Sequence, residues 1–227
     1  MQPYFLPYIG YWQLINAVDK FIIYDNIKYT KKGWINRNRF LSNSRDSVFS
    51  LPLKKDSDLK TIVEREISPE FNPCKLINQF KGAYEKSPYF DECLPLLRSI
   101  IHYNEKNLFK FIYNSVIVIC SYLQISTEIL ISSNINIQNS LKGKERVIAL
   151  CKQIGATTYI NPIGGTDLYC KKEFDNYGIN LTFLKSKSVN YYQFDKQFIP
   201  FLSVIDLLMF NSHDKVCEIV RKEFFLC

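Results

Sequence analysis

The chain has 227 residues, 47% of them hydrophobic and 22% charged, which is the composition of a globular protein able to bury a substantial core and excludes a disordered or fibrous chain. Its formal charge of +7 points to an anionic partner, either a phosphate-bearing small molecule or a nucleic acid. The seven cysteines are scattered without a C-x-x-C pair and the two histidines are isolated, so neither a disulfide framework nor a metal site is predicted, and no cofactor is expected.

No signal-peptide pattern opens the chain, and no apolar run approaches the roughly 18 residues of a membrane span. A cytoplasmic protein is expected, with a peripheral place at the inner membrane surface left open.

In chain order, Tyr11, Leu14, Ile15 and Val18 recur at helical spacing after a turn around Gly10. Phe21–Tyr24 then reads as a strand buried on both faces, with Asp25 at its carboxyl end, where ligands collect in open α/β sheets. A turn and helix of this type ordinarily follow a strand. The first strand is therefore expected to be absent or to lie upstream of Met1.

Residues 36–53 predict a hairpin with a polar Ser42–Ser47 connection, and Thr61–Ile67 a third strand. Asn72 before Pro73 and Ser87 before Pro88 mark two helix starts. A third helix carries Leu108, Ile112, Val116, Ile119 and Leu123. Beyond it, strands at Thr127–Ile131, Thr157–Ile160 and Asn180–Leu184 alternate with helices around Val147–Ile154 and Lys171–Tyr177. Ser203 and Asp206 have capping-box spacing, and Ser212 is placed to cap the last helix.

The pattern predicts one α/β domain over 1–227, with a mostly parallel, Rossmann-like sheet built from 1–69 and 125–227. A β-hairpin and a helical insertion at 70–124 complete it.

Two segments carry candidate chemistry. Lys28, Lys31, Lys32, Arg37 and Arg39 fall in a stretch without a carboxylate, where Tyr29 and Trp34 offer stacking faces and Asn36 and Asn38 offer amides for sugar hydroxyls. Strand alternation puts Arg37 and Arg39 on one face and Asn36, Asn38 and Phe40 on the other. The bland alternative is a solvated basic hairpin. The second segment, Asn161-Pro-Ile-Gly-Gly-Thr-Asp167, is a glycine loop after a buried strand, either approaching a phosphate or making an ordinary strand-to-helix turn. Its Asp167 reads as a base or as a helix cap. The Gln2-Pro3…Pro7…Gly10-Tyr11 turn resembles in outline the phosphate-binding turn of nucleotidyltransferases, but it lacks both signature histidines and is one residue short.

The blocks QPYFLPYIGYWQLINAVDKFIIYD, KKGWINRNRF, ATTYINPIGGTDLY and FIPFLSVIDLLMFN resemble, in order and over nearly the whole chain, the WbqC-like protein family. Members occur among genes for O-antigen and other bacterial surface polysaccharides and are described as glycine transferases. The resemblance implies transfer of glycine or a related acyl group to the amine of a nucleotide- or lipid-linked amino sugar. The activated donor is an adenylate, a thioester or glycyl-tRNA. An inactive sugar-nucleotide-binding accessory protein of the same pathway is the alternative, and RNA binding through the basic segment a third. The site residues implied are Gln2, Pro3, Gly10, Tyr11, Asp25, Tyr29, Lys32, Asn36, Arg37, Asn38, Gly164, Gly165 and Tyr169. Asp25 and Asp167 are the candidate bases.

Overall fold

The structure, a computed structural model, describes residues 1–138, 140–194 and 197–227. It is a mixed α/β fold. The chain runs α1 (Ile9–Asn16), β1 (Lys20–Ile23), β2 (Arg37–Ser42), β3 (Arg45–Ser50), α2 (Pro73–Tyr84), α3 (Phe90–Ile101), α4 (Leu108–Tyr122) and β4 (Glu128–Ile131). It continues through α5 (Gly143–Gln153), β5 (Thr158–Pro162), α6 (Lys171–Asp175), β6 (Asn180–Ser186), α7 (Val204–Phe210), α8 (His213–Lys222) and β7 (Phe224–Leu226).

Among the described residues the strands form three sheets: β1 with β4 in parallel, the antiparallel hairpin β2–β3, and β5–β6–β7, in which β5 and β6 are parallel and β7 antiparallel. The helix starts are set locally. Asn72, Asn107, Ser203 and Ser212 each accept a backbone N–H of the following turn.

Three local expectations are corrected. Thr61–Ile67 is not a strand: Thr61 and Glu64 close a capping box over a 3₁₀ turn at Ile62–Glu64, so local bonds replace a ladder. Ser87 does not cap α3, because its hydroxyl donates back to the Tyr84 carbonyl and Tyr89 holds the cap position. Asp206 does not return a bond to Ser203, whose N–H goes to the Arg39 carbonyl. Instead its buried carboxylate accepts from Tyr84 Oη at 3.0 Å, Tyr191 Oη at 2.6 Å and Gln193 Nε2 at 2.7 Å. Burial raises its pKa despite these three donors.

The principal core joins α1, β1, the hairpin, α2–α4, α7 and α8. A smaller cluster gathers Val147, Ile148 and Cys151 of α5 with Phe174, Leu181 and Phe183. A cavity of about 480 Å³ lies between the two, lined by Leu14 of α1 with Ala17 and Val18 just past its end, by β1, by Leu150 of α5 with Ile154 just past its end, and by Thr158–Asn161 of β5.

Met1 sits at one end of this cavity in strand-like register with β1, its amino group donating to the Ile22 carbonyl at 2.7 Å and its carbonyl accepting from Tyr24 N–H at 2.8 Å. In the parallel ladders, residues of one parity turn their backbone groups to one neighbour. Ile22 of β1 therefore faces the cavity, and so do Thr158 and Ile160 of β5, since Thr157 bonds toward β6. An extended segment laid here would find free backbone groups on both edges and would give the order β4-β1-segment-β5-β6. That is a doubly wound order whose switch point falls between the segment and β5.

Candidate functional site

The turn before α1 is buried and tied from several sides. Pro3, Phe5, Leu6 and Pro7 are all buried. Leu6, at φ +48°, gives its carbonyl to Asn38 Nδ2 at 3.0 Å and to Ser203 Oγ at 2.7 Å. Pro7 gives its carbonyl to Trp12 Nε1 at 3.1 Å and Val204 N–H at 2.9 Å, and Gln2 gives its own to Tyr11 Oη at 3.1 Å. A positive φ on a leucine is costly, and these bonds hold it.

The result is a second cavity, of about 290 Å³. The turn and the start of α1 supply Met1, Tyr4, Pro7, Tyr8, Gly10 and Tyr11, the hairpin arm supplies Trp34, Asn38 and Arg39, and Pro162 and Phe201 close it. Gly10 has a specific reason to lack a side chain. A Cβ there would lie 2.3 Å from the Tyr8 hydroxyl, so glycine lets the tyrosine fold over the helix start. No acidic residue occupies the first turn of α1, and its amino end carries the positive pole of the helix. Burial raises the pKa of both Tyr4 and Tyr8, which keeps these phenols as neutral donors at the cavity wall.

Arg39 and Arg37 bracket the Trp34 ring at 5.8 and 5.5 Å. Their duties differ. Arg37 donates to the carbonyls of Gly33 at 2.9 Å and Lys32 at 2.7 Å, stapling its own loop. Arg39 reaches Asp46 at 3.1 Å and the Phe201 carbonyl at 3.2 Å, with its guanidinium on the cavity wall.

The expected site residues therefore divide. Gly10, Tyr11 and Asn38 line this cavity, with Gln2 and Pro3 in the turn beside it. Tyr29 and Asn36 bond each other at 2.8 Å, Asn36 also donates to the Leu51 carbonyl, and Arg65 covers the Tyr29 ring at 4.8 Å. Those groups are spent on the hairpin. Lys32 is exposed.

Asp25 is buried at the end of β1, accepting from Ser132 Oγ at 2.9 Å and Ser133 N–H at 3.0 Å. Gly164 and Asp167 are exposed on a 3₁₀ segment, whereas Gly165 is buried against Asn161. Tyr169 packs edge-on to Tyr159 and Phe174.

Tyr8, Pro162 and Phe201 come from distant segments, and no local pattern marks them as partners. Arg146 was equally hidden. From the first turn of α5 it crosses to Asn26 and covers the Tyr24 ring at 5.4 Å. The Tyr24 hydroxyl is pushed up to about 12, because burial outweighs the pull of that guanidinium. The available signal was a lone arginine opening a helix after a strand, at the end of the sheet where ligand groups gather.

The model of a family described as "WbqC-like protein family" matches residues 2–218. The uncharacterized protein Rv1507c of Mycobacterium tuberculosis is 29% identical over 228 residues, spanning 97% of this chain and 96% of the relative. No solved structure gives a significant match. With this turn, hairpin arm and glycine loop inside the matched span, the chain belongs to the WbqC-like protein family.

Proposed function

We propose that the chain is a transferase of bacterial surface-polysaccharide biosynthesis that passes glycine or a related acyl group to the amine of an amino sugar carried on a diphosphate. The observation that carries this reading is the convergence, in one cavity, of the amino end of α1, the Arg39 guanidinium, the Asn38 wall and the exposed Trp34 ring. These are the groups a sugar diphosphate asks for: a cation fork and a helix pole for phosphate, and an aromatic face for a base or sugar. The cavity also takes in Pro162, at the carboxyl end of the parallel strand β5, which supports it further.

In the reaction, the sugar ammonium loses a proton to a carboxylate, its nitrogen bonds to the acyl carbon, and the bond from that carbon to the activating group breaks. The activating group leaves with the bonding electrons and takes up the second proton, which the nitrogen sheds as the amide forms. Asp167, exposed on the glycine loop, is the base we favour over Asp25, whose Oδ1 already accepts from Ser132 and Ser133. Gly164 N–H is the donor we favour for the oxyanion.

The alternative, an inactive binding protein of the same pathway, draws on the engagement of Asp25.

Thermal shift with a panel of nucleoside-diphosphate amino sugars tests the binding step. Saturation at a hundredfold excess over Kd stabilises by about 2.7 kcal/mol. Arg39→Ala, which removes a charge-assisted contact, should weaken binding about ten- to a hundredfold. Absence of any shift across the panel overturns the reading. Binding without acylation, when glycyl-tRNA, adenylate and thioester donors are each supplied, favours the alternative.

A further inference from the structure

Around the mouth of this cavity the large apolar side chains are turned outward. Trp34 is 44% exposed, Tyr8 37% and Phe201 69%, and all three line the same cavity. They form a connected row: Tyr8 meets Phe201 edge-on at 6.3 Å, Arg39 holds the Phe201 carbonyl, and the Arg39 guanidinium lies over Trp34. Val48, 55% exposed, stands opposite Arg39 in the hairpin register and so on the same face.

Phe201 adopts φ +59°, a conformation disfavoured for a side chain of that size, with its ring left in solvent. Cations flank the row. Arg37 lies on the other contact of Trp34, and Lys28 and Lys32 are exposed on the same loop, while Asp46 and Asp58 pair with Arg39 and Lys31.

We propose that this rim is a membrane-docking surface that seats the chain on anionic phospholipid headgroups. Tryptophan and tyrosine settle at the headgroup level, phenylalanine and valine reach the acyl boundary, and the lysines meet lipid phosphates. No helix among the described residues is long and apolar enough to cross a membrane, so the association through this rim is interfacial. Combined with the transferase reading above, on which this step alone rests, docking selects a lipid-linked carrier. Its diphosphate lies at headgroup depth, level with the cavity mouth.

The test is co-sedimentation with vesicles of equal phosphatidylglycerol and phosphatidylcholine, against phosphatidylcholine alone, with tryptophan emission read in parallel. Trp12 is fully buried, so a change in emission reports Trp34. We expect binding to the anionic vesicles, loss of it with added salt, and a Trp34 shift to shorter wavelength with protection from acrylamide. Phe201→Gly keeps the left-handed backbone and should lower partitioning several-fold. Lys28→Gln with Lys32→Gln should lower it about thirtyfold, at about 1 kcal/mol per cation.

Equal binding to both vesicle types, no emission shift, or partitioning unmoved by Phe201→Gly overturns the proposal. So does binding of a structured RNA without vesicle binding, which transfers the surface to nucleic acid. Sugar-nucleotide binding without vesicle binding removes the docking and leaves the pocket. Vesicle binding without any sugar-nucleotide shift does the reverse.

Discussion

Replacing Gly165 by alanine asks whether the glycine pair serves packing or only loop freedom. A Cβ at Gly165 would fall 1.9 Å from Asn161 Nδ2 and 3.2 Å from its Cγ, whereas one at Gly164 meets nothing within 4 Å. Neither glycine is among those with positive φ, so strain of that kind does not separate them. Asn161 cannot step aside freely, because its Oδ1 accepts from the Tyr159 hydroxyl at 3.1 Å and the residue is buried.

Either the crowding stays, at about 1–3 kcal/mol, or the amide swings out and gives up its bond from Tyr159, at about 1 kcal/mol. For a chain of this length 2 kcal/mol is roughly 4–8 °C in Tm. Gly164→Ala should instead be neutral or stabilising by up to about 1 kcal/mol through the unfolded chain. Urea denaturation of the single variants and of Asn161→Ala/Gly165→Ala completes a cycle, in which the double variant recovers at least half of the Gly165→Ala loss. Equal effects of the two glycine substitutions, or strict additivity in the cycle, would refute the packing argument.

An engineered extension of about four β-branched apolar residues ahead of Met1 should enter the cavity between β1 and β5. Side chains worth about 1.5–3 kcal/mol each, set against about 1–2 kcal/mol of backbone ordering per residue, leave a net gain of a few kcal/mol. A serine-rich extension of equal length, giving the same Tm, would contradict this. For Asp206, burial raises the folded pKa above the unfolded value near 3.9, so the native form holds its proton to higher pH. Stability contributed by this group therefore falls as pH rises through that window, and Asp206→Asn should remove the slope in urea titrations across it. Arg37→Ala should cost about 1 kcal/mol by freeing the Gly33 and Lys32 carbonyls, with a smaller loss of ligand affinity than Arg39→Ala. A larger affinity loss in calorimetry would return Arg37 to the pocket.

The sequence carried the fold where a local rule and the burial pattern agreed. The apolar run Phe21–Tyr24 falls on a strand, Lys20–Ile23, that buries Phe21 and Ile23, and Asn72 caps the helix that Pro73 opens. It misled where two local rules competed. Thr61–Ile67 has β-branched residues, but Thr61 and Glu64 satisfy each other within one turn, which turns the chain into a 3₁₀ segment. Asp206 has the spacing of a cap, yet Tyr84 and Tyr191, distant in the chain, offered better donors.

The basic segment shows the same limit at the site. Composition separated neither Arg37 from Arg39 nor Asn36 from Asn38. The division depends on which carbonyls lie within reach, and those come from Gly33, Leu51 and Leu6.

The two cavities share Met1, and this ties the sheet to the site. The turn that forms the pocket floor is held by Asn38, Ser203 and Val204 from the hairpin and α7, while its link to the parallel strands runs through the Met1 pairing with Ile22 and Tyr24. A segment laid between β1 and β5 would add ladder bonds on both sides of that link and fix the switch point from the sheet side as well. Filling the larger cavity should therefore tighten binding in the smaller one without touching its lining, because less of the binding energy goes into ordering the turn.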